Sequence, residues 1–212
     1  MKKVLSLMLC AAVLFLCAAC GSTKEKTDLP DTPPARGSVN GLDFVSEYTD
    51  VAFSAPSDNW VFATDEELAS ACNIDPKVFA TEDFETLLKN NSTVYDMIAQ
   101  SEKDRIAVLM GIENPKLSAV TSTSSAKDFV NKVLDSFLQT IDTENNPYTL
   151  SDTEAVTICG HEYYRKSLTI STADDTATQS YYARSLGDYL CIIVTSHTAD
   201  TTVEQVEALF DR

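Results

Sequence analysis

Glycine and histidine are scarce in this chain. Six glycines lie scattered singly through 212 residues, and the two histidines are His161 and His197. Without grouped glycines there is no phosphate-cradling loop and no dinucleotide fingerprint, since both need several glycines where a strand runs into a helix. With two histidines, a serine or cysteine hydrolase can draw its base only from His161 or His197. No Gly-x-Ser-x-Gly elbow accompanies either one. Positive charge is scarce as well: 16 Lys and Arg stand against 32 Asp and Glu, a formal net charge of −16. Such a chain repels phosphate backbones, which excludes nucleic acid as a partner. No apolar run reaches the roughly 20 residues of a membrane-spanning helix.

The uncharged run Val4 to Ala19 comes nearest, at sixteen residues. Lys2 and Lys3 precede it and the small pair Ala18-Ala19 ends it, which is the layout of a secretory signal. It stops on Cys20, with Gly21-Ser22 behind. Leu14 to Ser22 resembles the lipobox of bacterial lipoproteins, with Cys17 standing where that family usually has leucine. The resemblance implies that residues 1–19 are removed and that the Cys20 thiol receives lipid. Two or more acyl chains hold a protein on a membrane where one does not. An ordinary cleaved signal and an uncleaved anchor helix are the alternatives. Loss of residues 1–19 leaves 14 basic against 32 acidic residues, a formal charge of −18. The expected address is lipid-anchored and extracytoplasmic, on a bacterial membrane or in its envelope.

Residues 20–41 follow as lipidated cysteine and tether: Ser22 to Gly41 holds three prolines and no aromatic residue. Residues 42–212 fit one domain large enough to bury its own core. Three cysteines fall in it, Cys72, Cys159 and Cys191, too few and too irregular for a disulfide framework. A Cys159–Cys191 bridge and buried thiols both remain open.

Strand and helix signals then alternate. Leu42 to Tyr48 and Val51 to Ser54 read as a hairpin. Thr64-Asp65-Glu66-Glu67 is a capping box opening a short helix, and Pro76 and Glu82 to Lys89 suggest two more helical pieces. Thr93 to Gln100 and Arg105 to Glu113 read as strands. Ser125 to Ile141 is the best amphipathic helix, with Phe129, Val133, Leu134, Phe137, Leu138 and Ile141 on one side. Four strands follow: Thr149 to Ile158, His161 to Ser171, Gln179 to Leu186 and Tyr189 to Ser196. The last two join through Gly187-Asp188. Thr202 to Arg212 closes as a helix. Ile106 to Met110 and Leu190 to Val194 are apolar on both parities, so both faces of those strands must be covered. The expected fold class is α+β, a single antiparallel sheet flanked by helices on both faces.

The opening VAFSAP, a turn and Trp60, and the ending HEYYRKSLTI, a polar loop, QSYYARSLGDYLCIIVTS and a helix, resemble PsbP-like domains over about residues 42–212. The resemblance implies a mostly non-enzymatic accessory role, in docking, assembly or ligand retention. It supplies no catalytic set.

Few residues suggest chemistry. Cys159-x-His161 and Cys191 with His197 offer ligand types for zinc. However, six strand residues span about 20 Å, so Cys191 and His197 reach one ion only if the chain bends. Core thiols and strand-end histidines are the plainer reading. Asp142-Thr143-Glu144-Asn145-Asn146 alternates oxygen ligands but has Pro147 where an EF-hand needs glycine, so a solvated loop is expected there. Asp174-Asp175 reads as another loop tip. Tyr163-Tyr164 and Tyr181-Tyr182 fall on neighbouring strands and either line a groove or pack the sheet with wet hydroxyls. The expected function is a non-enzymatic binding or assembly module without a cofactor, anchored through Cys20, with a protein or small molecule as partner. A small-ligand or metal-ion sensor is the alternative, and an envelope hydrolase comes third.

Overall fold

The computed structural model describes residues 32–118, 125–141, 146–171 and 175–210. The signal segment, Cys20, most of the tether, residues 142–145 and Asp174 lie outside them. Among the described residues no helix is long and apolar enough to cross a membrane.

The hairpin at the start builds a small sheet. Its strands are β1 (Ser38–Asn40), β2 (Asp43–Ser46) and β3 (Val51–Ser54), in the order β1-β2-β3. Period-two alternation sends Phe44, Val51 and Phe53 inward and leaves Val45 exposed. Strand β1 lies within the stretch that composition assigns to the tether, yet Ser38 to Asn40 pair with Asp43 to Val45.

The large sheet has eight strands: β4 (Trp60–Phe62), β5 (Thr93–Ser101), β6 (Ile106–Glu113), β7 (Tyr148–Leu150), β8 (Glu154–Ile158), β9 (His161–Ser171), β10 (Thr176–Leu186) and β11 (Tyr189–Thr198). Its order is β4-β5-β6-β11-β10-β9-β7, with β8 also on β9, and every pair is antiparallel. The expected strand from Thr149 to Ile158 is thus two strands, both paired with β9. Five helices are described: α1 (Asp65–Ala71), α2 (Pro76–Thr81), α3 (Phe84–Asn90), α4 (Ala126–Leu138) and α5 (Val203–Glu207).

Strand β6 is buried along its whole length and β11 nearly so, as their apolar parities require. The register places Met110, Tyr163, Tyr182, Arg184, Cys191 and Ile193 on one face. That face is covered by the small sheet and the C-terminal segment. The Phe53 ring packs on Trp60, Phe62 and Phe210, with centroids 5.5, 6.0 and 5.4 Å away. Ser54 N–H donates to the Leu209 carbonyl at 2.8 Å. On the opposite face α4 packs across β9 and β10, burying Phe129, Val130, Leu134 and Phe137.

The single sheet with helices on both faces is therefore overturned. Strand far outweighs helix among the described residues, it is divided between two sheets, and one cover of the central strands is the second sheet. Apolar residues on both parities demand cover without saying what supplies it. The alternating hairpin Leu42 to Ser54 meets that demand as well as a helix does.

Local chemistry sets the helix starts. Thr64 N–H donates to Glu67 Oε2 at 2.8 Å, and Glu67 N–H donates to Thr64 Oγ1 at 3.3 Å, closing the expected capping box. Thr64→Ala removes one half of that exchange and is expected to cost about 1 kcal/mol of unfolding free energy, measured by urea denaturation.

Candidate functional site

The residues marked by sequence scatter across the fold. His161 Nε2 lies 2.9 Å from Asp50 Oδ2 at the surface. His197 is buried on β11, where its Nδ1 donates to the Thr198 carbonyl at 3.1 Å. Cys159 and Gly160 form the two-residue turn between β8 and β9, with φ of 50° and 78°. Both angles are positive, as the twist-matched hairpin turn requires. The turn directs the Cys159 thiol at the Phe210 carbonyl, 2.8 Å away. Cys191 is in the core, its sulfur 3.3 Å from the Tyr163 hydroxyl. The two thiols serve different contacts and are not bridged. Among the described residues, no three His, Cys, Asp or Glu side chains converge as metal ligands.

The tyrosines do not form a groove. Tyr163, Tyr181 and Tyr182 are buried in the sheet layers. Tyr181 donates to Gln179 Oε1 at 3.1 Å, and the Arg184 guanidinium lies over the Tyr163 ring at 5.3 Å. Burial pushes all three phenols up. Packing is the reading that holds, with the hydroxyls dry rather than wet.

A recess of about 350 Å³ opens elsewhere, between β1 and β4, at the root of the tether. Its lining includes Arg36, Asp96, Phe62, Asp65, Leu68 and Met97. A bulge in β5 between Tyr95 and Met97 lies beside it. The extra residue on a bulged strand leaves the ladder and its side chain is re-aimed. Here that residue is Asp96, whose side chain has no exposed surface. Gly37 N–H donates to its Oδ2 at 2.8 Å. That approach needs glycine, because a Cβ on residue 37 would sit 2.3 Å from Phe44 Cζ. Arg36 stacks on the Phe79 ring at 4.4 Å and bridges two carboxylates, Asp65 Oδ1 at 3.0 Å and Asp96 Oδ1 at 3.7 Å. Neither Asp96 Oδ1 nor Arg36 Nε has a hydrogen-bond partner among the described residues, and 3.7 Å is too long for one between them. Burial pushes the Asp96 carboxyl up to about 6, against the pull of Gly37 N–H, Arg36 and Ser46.

A second carboxyl is buried at the end of β6. Glu113 accepts from the Thr93 and Ser118 hydroxyls, and burial pushes it up to about 7. Burial also raises the half-buried thiol of Cys72 to about 11, so it is protonated at neutral pH. Sequence reasoning missed the recess. One signal was present: Asp96 interrupts the otherwise apolar run of β5, where a lone acid needs a partner.

No protein-family model matches the chain, and no curated protein matches it. Among solved structures it is similar to the solution structure of cyanobacterial PsbP (CyanoP) from Synechocystis sp. PCC 6803. The identity is 15%, the match covers 92% of this chain and 93% of that one, and the TM-score is 0.44.

Proposed function

We propose that this chain is a lipid-anchored extracytoplasmic binding protein, held through Cys20, whose domain binds at the recess between β1 and β4 and carries out no catalysis. The observation that carries the binding half is the composition of the recess. Arg36 and Asp65 stand in its lining beside Phe62, Leu68 and Met97, and the lining contains neither histidine, serine nor cysteine. Small-molecule sites combine mostly apolar walls with a few convergent polar groups. A non-catalytic accessory role is also what the PsbP-like pattern of elements implies. The anchoring half is supported by the segment ending in Cys20 and by the tether. Fifteen residues separate Cys20 from Arg36, and an extended chain of that length reaches about 55 Å at most. The tether then sets an upper limit of about 55 Å on how far the recess stands from the membrane surface.

Metabolic labelling with an alkyne fatty acid, followed by mass spectrometry of the purified chain, tests the anchor. The expected product begins at Cys20, carries lipid and partitions into the membrane fraction, and Cys20→Ala moves the protein to the soluble fraction. An intact Met1, or an unmodified Cys20 at the new terminus, overturns the anchor.

A further inference from the structure

We propose that β8 is the docking edge for a second copy of this chain: two β8 strands pair antiparallel about a two-fold axis through Val156 and join two large sheets into one. The proposal stands apart from the recess, whose lining takes nothing from β8.

The first ground is an open edge. Five strands stand at sheet ends, β1 and β3 in the small sheet and β4, β7 and β8 in the large one. Among them β8 is the longest, at five residues. Exposed edges are usually blunted by lysine, by proline or by being very short. β8 reads Glu-Ala-Val-Thr-Ile, with neither lysine nor proline. A bulge precedes it, since residues 151–153 face only residues 166 and 167 of β9, so the regular pairing length is β8 itself.

The second ground is the direction of the backbone groups. The two-residue turn at Cys159-Gly160 makes Ile158 and His161 the first hydrogen-bonded pair. Bonded pairs then alternate along the hairpin, at Val156 with Tyr163 and at Glu154 with Arg165. The N–H and C=O groups of Ala155 and Thr157 therefore point away from β9, and both residues are exposed. Among the described residues, neither makes a backbone hydrogen bond outside the sheet ladder.

Charge selects the occupant. The chain carries a net −16, yet the one charged side chain on β8 is Glu154, which Arg165 holds at 2.7 Å. A basic strand finds no unpaired carboxylate along β8, and an acidic strand meets a chain of its own sign. A second β8 meets neither obstacle. With Val156 opposite Val156 of the second copy, Ala155 falls opposite its Thr157 and Glu154 opposite its Ile158. No like charges stand opposite each other. Each Ala155–Thr157 pair exchanges both of its N–H···O bonds, which uses the outward groups on both copies. The contact is the same patch on each chain, so it closes at a dimer.

Oxidative cross-linking of the full chain in detergent, read by peptide mass spectrometry, tests this. In the proposed register residue 156 is a non-bonded pair with itself, at a Cα separation of about 4.5 Å, which a disulfide can span. Thr157→Cys faces Ala155 instead. Val156→Cys is therefore expected to form a disulfide with its own copy about tenfold faster than Thr157→Cys, since only the first has the geometry. The parent chain, with Cys159 beside the strand, sets the background. Ala155→Pro removes one outward donor and leaves the ladder with β9 intact, as proline on an edge does. Added to Val156→Cys, it is expected to slow the cross-link by a similar factor. Should that variant fail to fold, Ala155→Lys at the same exposed position takes its place. Equal rates for the two thiol variants, no dimer from either, or a rate unmoved at position 155 overturns the proposal. So does a cross-link in cells that joins the introduced thiol to a different protein.

Discussion

Between pH 4 and pH 7 the domain is expected to lose unfolding free energy through two buried carboxyls, Asp96 and Glu113. Both titrate higher in the folded chain than in the unfolded one, at about 6 and about 7, and burial is the first cause in each case. For an acid raised in this way, both states hold the proton at low pH and the full stability is present. As pH rises past the unfolded value, the unfolded chain releases its proton while the folded chain keeps it, so stability falls. The fall ends once the folded group has ionised. The window runs from about pH 4 to about 6 for Asp96 and on to about 7 for Glu113. Each contributes a loss on the order of 3 kcal/mol as a ceiling, at about 1.4 kcal/mol for every pH unit that separates the folded value from the unfolded one. Glu67, Asp83 and Glu204 act in the opposite sense, because local hydrogen bonds hold their carboxyls low. The clean measurement is therefore a difference. Urea unfolding of Asp96→Asn and Glu113→Gln is compared with the parent chain at steps across this range. Relative to the parent, each variant is expected to gain stability as pH rises through its window and then level off. A difference that stays flat from pH 4 to pH 8 would show that these carboxyls titrate normally and are not buried as described.

The two carboxyls also show why sequence disclosed the local pieces and hid the site. The Thr64–Glu67 box and the Gly187 turn are written in residues close together in the chain and formed where their spacing placed them, and α4 buries Phe129, Leu134 and Phe137 of its expected stripe while ending before Ile141. Asp96 is different. Its partners Arg36 and Gly37 lie 59 residues or more away, in a proline-rich stretch whose composition reads as tether. A buried carboxylate of this kind is explained only by long-range neighbours, and no periodicity names them. The bulge that aims it is equally silent, since nothing in the order of residues shows that β5 carries one residue more than its partner strand. The fold class failed for a related reason. Ile106 to Met110 specified that two faces be covered, and the choice between helix and sheet lay with the hairpin that packs on them.

That choice has a consequence measurable in stability. Phe53→Ala is expected to lower the unfolding free energy by about 3 to 5 kcal/mol, the range for removing a fully buried phenylalanine. Phe53 has no exposed surface and stands between the sheets, against Trp60 and Phe62 of the large sheet and Phe210 beyond α5. Three rings lose a neighbour at once, and edge-to-face pairs contribute beyond their buried area. Val45→Ala on the same hairpin is the control. Its side chain faces solvent, so the change is expected to stay within about 0.5 kcal/mol. A large Phe53 effect with an unchanged denaturant slope would mean that small sheet and large sheet melt together as one unit. If the small sheet were only loosely attached, Phe53→Ala would cost little, and a separate early transition would appear when the ring fluorescence of Trp60 is followed. The recess depends on the same cohesion, because β1 forms one of its walls and β4 the other. A chain that loses the Phe53 contact is therefore expected to lose the recess and the rest of the fold in one transition.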